Sequence, residues 1–188
     1  MAVSAHQAVA MLERAYADNS VASPAPASPP QTWRGTSLSI AGTSLLVGEG
    51  GIDEIVETPA VTSIPGTKPW VMGVAAYMGG LLPIISGDVF FRGRPYTGRV
   101  RDFCMVIRKP GFYFGMTLSG VERDMKFTLD KRDMDCAVEE DFAGYTLGSF
   151  CDGDRCWAVL DIDKLVADSE LSNAAATAAV SIEDTNDD

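Results

Sequence analysis

Few side chains in this 188-residue chain have types and spacings that could do chemistry. A Ser-His-Asp or Cys-His catalytic unit needs an imidazole held in place by the fold. The only histidine, His6, falls in a terminal helical segment, so neither that chemistry nor a histidine metal site is expected. The four cysteines are Cys104, Cys136, Cys151 and Cys156. Cys151 and Cys156 flank Asp152-Gly153-Asp154, a strong hairpin turn, so they could approach each other across it. A zinc site would need Cys104 and Cys136 to converge on that pair. Buried, reduced thiols acting as small hydrophobes are the expected state, with a redox disulfide as the other reading.

The acidic and glycine-rich clusters are poor in chemistry too. Asp152 and Asp154 offer oxygens, but a calcium loop needs more ligands and a distal Glu, and position 163 is Asp. Asp161 and Asp163 read as a helix cap or a solvated edge rather than an acid–base pair. Gly48-Glu49-Gly50-Gly51 is not followed by Gly-Lys-Ser/Thr, so no phosphate loop is supported. The residues point to a protein that is not an enzyme, with no catalytic group, no cofactor and no metal. The alternative from another class is a thiol-based redox sensor or enzyme using Cys151 and Cys156.

The elements that would carry these residues are mostly strands. Residues 64–85 are the most telling stretch, with no charge from Pro69 through Gly87. A bilayer-spanning helix needs about 20 apolar residues. Here Pro69, Pro83 and the Gly79-Gly80 pair argue instead for a buried hairpin: Trp70–Tyr77, a turn at Met78-Gly79-Gly80, then Leu81–Ile85. Further hairpins are read around Ala41-Gly42-Thr43, Lys109-Pro110-Gly111 and Asp152–Asp154. Residues 52–56 suggest a short turn or helix before an extended piece near residues 57–61, and residues 125–129 suggest another strand. A short helix follows Leu160, capped by Asp161 or Asp163. Two hairpin-rich halves, before and after about residue 95, could each close a small barrel.

The flanks read differently. Residues 1–20 are expected to form a helical arm with Val9, Leu12 and Tyr16 on one face, and residues 21–31 a Pro/Ala/Ser linker. Residues 32–168 are the globular domain, and residues 169–188 an acidic tail expected to be disordered. The net charge is −11, yet only 18 acids and 14 bases lie between residues 33 and 164. That nearly balanced domain lacks the basic face that nucleic acid requires. No basic region followed by an apolar run marks a signal peptide, so a cytoplasmic location without membrane insertion is expected.

Ile64-Pro65-Gly66, Trp70-Val71-Met72-Gly73-Val74, Gly79 and Pro83-Ile84-Ile85 resemble the signature of the CheW-like domain family. Leu160-Asp161-Ile162-Asp163-Lys164-Leu165 looks like that family's closing motif. The likeness spans about residues 34–167. The helical arm, the linker and Trp33-Arg34-Gly35 make the chain most similar to the PilI-type branch, the adaptors of type IV pilus chemosensory systems. The resemblance implies a mostly β fold: two small five-stranded SH3-like β-barrels sharing a hydrophobic core, with an N-terminal helix and a short C-terminal helix. It implies an adaptor linking the cytoplasmic tip of a methyl-accepting chemoreceptor to the regulatory domain of a CheA-type histidine kinase, with twitching motility as output.

Three positions depart from the family pattern: Ala76 replaces Asn, Met78 replaces Arg and Ser86 replaces Asp. Loss of both Arg and Asp is consistent with loss of a polar pair supporting the turn. Val47, Ile55, Val56, Tyr77, Met78 and Leu82 are candidate apolar contacts near the hairpin. Core packing is the plainer role for Val47, Ile55 and Leu82, whereas Met78 at the tip should be exposed. The expected partner-binding set is Val56, Tyr77, Met78, Gly79, Gly80 and Leu82.

Overall fold

The computed structural model describes residues 31–95, 97 and 103–174. The expected N-terminal helix, all of the linker but its last residue, and the tail beyond residue 174 lie outside the described residues.

Twelve strands in the described residues build two sheets. They are β1 Thr32–Ile40, β2 Thr43–Gly48, β3 Glu54–Glu57, β4 Val61–Thr62, β5 Val71–Tyr77 and β6 Gly80–Ile85, then β7 Phe103–Lys109, β8 Phe112–Leu118, β9 Gly120–Thr128, β10 Arg132–Asp133, β11 Thr146–Asp152 and β12 Arg155–Leu160. The first sheet runs β10-β11-β12-β2-β1-β9, the second β3-β7-β8-β6-β5-β4. Each has six strands rather than five, because the two-residue strands β10 and β4 add to the edges.

Each hairpin turns through a glycine at positive φ: Gly42, Gly79, Gly111 and Gly153. Ala41-Gly42 and Met78-Gly79 are two-residue loops with both central φ values positive, at 52° and 83° and at 47° and 77°. That is the primed turn whose twist matches a β-ribbon. Pro110-Gly111 closes β7–β8, and Gly153-Asp154 closes β11–β12.

The halves do not fold as sequential units. β1 and β2 join β9–β12, while β3–β6 join β7 and β8. The chain starts in the first sheet, builds the second, and returns when β9 pairs antiparallel with β1. Hairpin signals are local, and they carry no information about which hairpin lies beside which. Each sheet is completed by a short parallel pairing, Ala158 with Leu45 and Ile84 with Gly115.

The core has three parts. Leu46, Phe127, Phe150, Trp157 and Val159 pack within the first sheet. Ala75, Leu82, Ile84, Cys104 and Val106 pack within the second. Between them, Leu38, Ile40 and Leu45 of the first sheet meet Met105, Ile107 and Met116 of the second in one shared cluster. At about 1.5–3 kcal/mol for each fully buried large side chain, this shared cluster couples the two sheets energetically.

Four short α-helices among the described residues seal the ends of that core. α1, Gly87–Arg92, is capped by Ser86, whose Oγ accepts from the Val89 N–H, and ends at Gly93 with φ 66°. The Ser86 cap and the Gly93 stop were readable in the sequence but were missed. α2 is Glu140–Ala143, with the Phe142 ring tilted against Phe91 of α1 at a centroid distance of 4.6 Å. α3, Ile162–Val166, is the expected C-terminal helix, and Asp161 caps it by accepting from the N–H groups of Asp163 and Lys164.

α4, Ser169–Ser172, corrects the expectation of disorder from residue 169. Leu171 is buried, Lys68 pairs with Glu170 at 2.8 Å, and the Lys68 N–H donates to the Ala174 carbonyl. One leucine, one ion pair and one cap anchor a segment whose overall composition reads as solvated.

Candidate functional site

The β5–β6 hairpin presents the most exposed apolar side chains of the described residues. Its register is Val74 with Pro83, Ala76 with Leu81 and Tyr77 with Gly80. Met78 is 81% exposed and Leu81 68% exposed, and Ala76, Gly79, Gly80 and Pro83 are exposed beside them. The opposite face is core, with Ala75, Leu82 and Ile84 buried. The hairpin therefore ends in a strip without charge: Ala76, Met78, Leu81 and Pro83.

Leu82 does not belong on that surface. It is 0% exposed and packs in the second sheet's own core. Side chains alternate along a strand, so burying Leu82 and Ile84 turns Leu81 and Pro83 outward. Leu81, Ala76 and Pro83 are not in the contact set expected from the sequence. The Leu81–Ile85 run is apolar on both faces, so only period-2 alternation, once one residue's face is known, could have found them.

Val56 lies on β3, partly buried against the same core cluster as Tyr77. Val47 is buried in the shared core and Ile55 packs half-buried against it, so both serve packing. The Tyr77 hydroxyl donates to the Glu54 carboxylate on β3. That bond, with some burial, pushes the Tyr77 pKa up to about 12. The same edge carries Arg108, whose Nε donates to Asp53 at 2.8 Å and whose guanidinium lies 4.3 Å from the Tyr113 ring centre. The apolar strip is thus bordered by a polar, charge-paired edge.

The positions that depart from the family pattern can now be placed. Met78 sits at the hairpin tip and Ser86 at the far end of β6, where its N–H donates to the Trp70 carbonyl at 2.7 Å. Six residues of strand separate them, roughly 20 Å at about 3.3 Å per residue. An Arg and an Asp at these places could not support each other across the turn, which corrects that expectation. Ser86 works as a helix cap, a role that Asp also fills well.

The cysteines divide between the two sheets. Cys104 is fully buried on β7, where burial pushes its thiol pKa up. It does not converge on the others. Cys151 and Cys156 are register partners on β11 and β12 and form a disulfide. The expectation of reduced thiols thus fails for this pair, because the hairpin sets their Cα atoms 4.1 Å apart. Cys136, in the loop after β10, brings its sulfur to within 4.8 Å of both.

No helix among the described residues is long and apolar enough to cross a membrane. Residues 64–85, the stretch that could have been one, form β5, β6 and the loop before them.

The chain matches the model of the CheW-like domain family over residues 32–170. It is 38% identical over 56 residues to the protein PilI of Pseudomonas aeruginosa, which is 30% of this chain. The match spans about a third, 32%, of PilI's own length. In fold it is similar to the crystal structure of the scaffolding protein TtCheW from Thermoanaerobacter tengcongensis, with a TM-score of 0.58 at 16% identity. That superposition covers 71% of this chain and 90% of TtCheW. The two sheets, each with its own core, are two SH3-like β domains.

Proposed function

We propose that this chain, which belongs to the CheW-like domain family, is a non-enzymatic signalling adaptor. It couples the cytoplasmic tip of a chemoreceptor to the regulatory domain of a CheA-type histidine kinase. Its output is control of type IV pilus twitching motility, and it acts in the cytoplasm. The observation that carries the reading is the family match over residues 32–170, which takes in both sheets and the core between them. The similarity to PilI supports the pilus branch.

The contact surface in this reading is the β5–β6 tip: Met78, Gly79, Gly80 and the outward Leu81, flanked by Tyr77 and Val56. An adaptor without a catalytic constellation works through its surface. Exposed Met and Leu on a rigid hairpin suit adaptable apolar recognition. Loss of the family Arg at position 78 makes that contact apolar rather than charge-paired.

Calorimetry against the regulatory domain of the cognate CheA-type kinase and against the receptor tip tests this directly. The expected result is saturable binding to both, weakened at least about tenfold by Leu81→Asp, which buries a charge at the contact. Failure to bind any CheA-type kinase or receptor tip from the same cell would remove the reading. The redox alternative has one observation in its favour, the Cys151–Cys156 disulfide, and the adaptor role uses none of its chemistry.

A further inference from the structure

Three of the four cysteines meet at one edge of the first sheet, and we propose that, once reduced, they form a binding site for a soft divalent cation of the zinc class. The site is independent of the adaptor reading, because it lies on the other sheet from the β5–β6 tip. Its ligands are Cys136, Cys151 and Cys156, and the Asp133 carboxylate supplies the fourth position.

Local structure brings these groups together. Cys151 and Cys156 face each other across the β11–β12 hairpin. β10 pairs with β11 through Arg132 with Phe150 and Asp133 with Ser149. The Asp133 Oδ1 accepts from the N–H groups of Asp135 at 2.8 Å and Cys136 at 3.1 Å. That turn folds the loop back so that all three sulfurs lie within 4.8 Å of one another. The Asp133 Oδ2 is 4.0 Å from the Cys151 sulfur.

These separations suit a tetrahedral ion. With metal–sulfur bonds of about 2.3 Å, bound sulfurs sit about 3.8 Å apart, so rotation of side chains already in place is enough. Three thiolates select a soft or borderline ion over magnesium or calcium, which prefer oxygen. Cys156 is exposed and the other two are half-buried, which leaves the ion a path in from solvent.

The oxidised and metal-bound forms exclude each other. A dithiol reductant gives the Cys151–Cys156 bond two electrons and two protons, and becomes a disulfide itself. The S–S bond breaks and two S–H groups form. The cation then displaces the three thiol protons to solvent. The disulfide seen here is the metal-free, oxidised form of the same site.

The full-length chain, reduced anaerobically with a phosphine and desalted, is titrated with cobalt(II). The expected result is one equivalent bound, with near-ultraviolet thiolate-to-cobalt charge transfer and the visible bands of tetrahedral cobalt, both abolished by added zinc. Cys136→Ser should weaken binding at least about tenfold and remove about a third of the charge-transfer intensity, while its circular dichroism stays that of the parent. Cys156→Ser, at an exposed position, serves as the second ligand variant and should weaken binding likewise. Cys104→Ala should leave binding unchanged. The proposal is overturned if the reduced protein shows no charge-transfer band, if both ligand variants bind as the parent does, or if the oxidised protein binds cobalt equally well.

Discussion

The Asp88 carboxylate accepts a hydrogen bond from the backbone N–H of Ala41 at 3.0 Å, and both residues are buried. Asp88 stands in the first turn of α1, directly after the second sheet's β6. Ala41 stands in the β1–β2 turn of the first sheet with φ 52°. A buried N–H without a partner is costly, and a carboxylate is a strong acceptor. One side chain thus holds the first sheet's turn against the helix that leaves the second, beside the shared core.

Asp88→Ala should destabilise the domain by about 1.5–3 kcal/mol, since it strips a buried donor of a charged acceptor. Asp88→Asn should cost less, because the amide oxygen still accepts. Urea denaturation measures both. A change under about 0.5 kcal/mol for the alanine variant would mean the bond does not matter.

At the hairpin tip, Met78 adopts φ 47° while its side chain is 81% exposed. A non-glycine residue there is strained by about 1 kcal/mol, and Asn tolerates the conformation better. Met78→Asn should therefore raise stability by about 0.5–1 kcal/mol. Met78→Arg should leave the thermal midpoint nearly unchanged, so that any change it causes in partner affinity reports on contact rather than folding.

Gly73 has φ 140°, and a Cβ added there would lie 2.0 Å from the Thr62 carbonyl oxygen. That oxygen belongs to backbone and cannot step aside. Gly73→Ala should break the β4–β5 pairing and cost more than about 2 kcal/mol. Leu82→Ala should cost about 2–5 kcal/mol by leaving a cavity in the second sheet's core. Leu81→Ala, one residue away, should cost less than about 0.5 kcal/mol. The contrast between the two leucines checks the strand register by denaturation alone.

Tyr77 and Tyr145 both have pKa values raised to about 12, Tyr77 chiefly by its bond to Glu54 and Tyr145 chiefly by burial, then by its bond to Asp168. The unfolded chain loses these protons near pH 10, the folded chain near pH 12. Their stabilisation is therefore complete below about pH 10 and is lost as pH rises toward about 12. Ultraviolet titration of tyrosinate should show two late-ionising groups, and Tyr77→Phe and Tyr145→Phe should each remove one. All five tyrosines ionising together near pH 10 in the folded protein, with no late step, would contradict the assignment.

What the sequence determined by itself is local. Gly42, Gly79, Gly111 and Gly153 mark tight turns through a positive φ that glycine accepts without strain, so the hairpins and the family signature were legible. The Asp161 cap was legible for the same reason. The tertiary structure decided everything that depends on which distant pieces meet. It sent β9 back to β1 across some eighty residues, turned Leu82 inward and Leu81 outward, separated Met78 from Ser86, and delivered Cys136 rather than Cys104 to the paired sulfurs. Turn preference is a property of two or three neighbouring residues. Strand neighbours and side-chain clusters are set by the burial of apolar surface over the whole domain, and many pairings of apolar strands satisfy that locally while one does so globally.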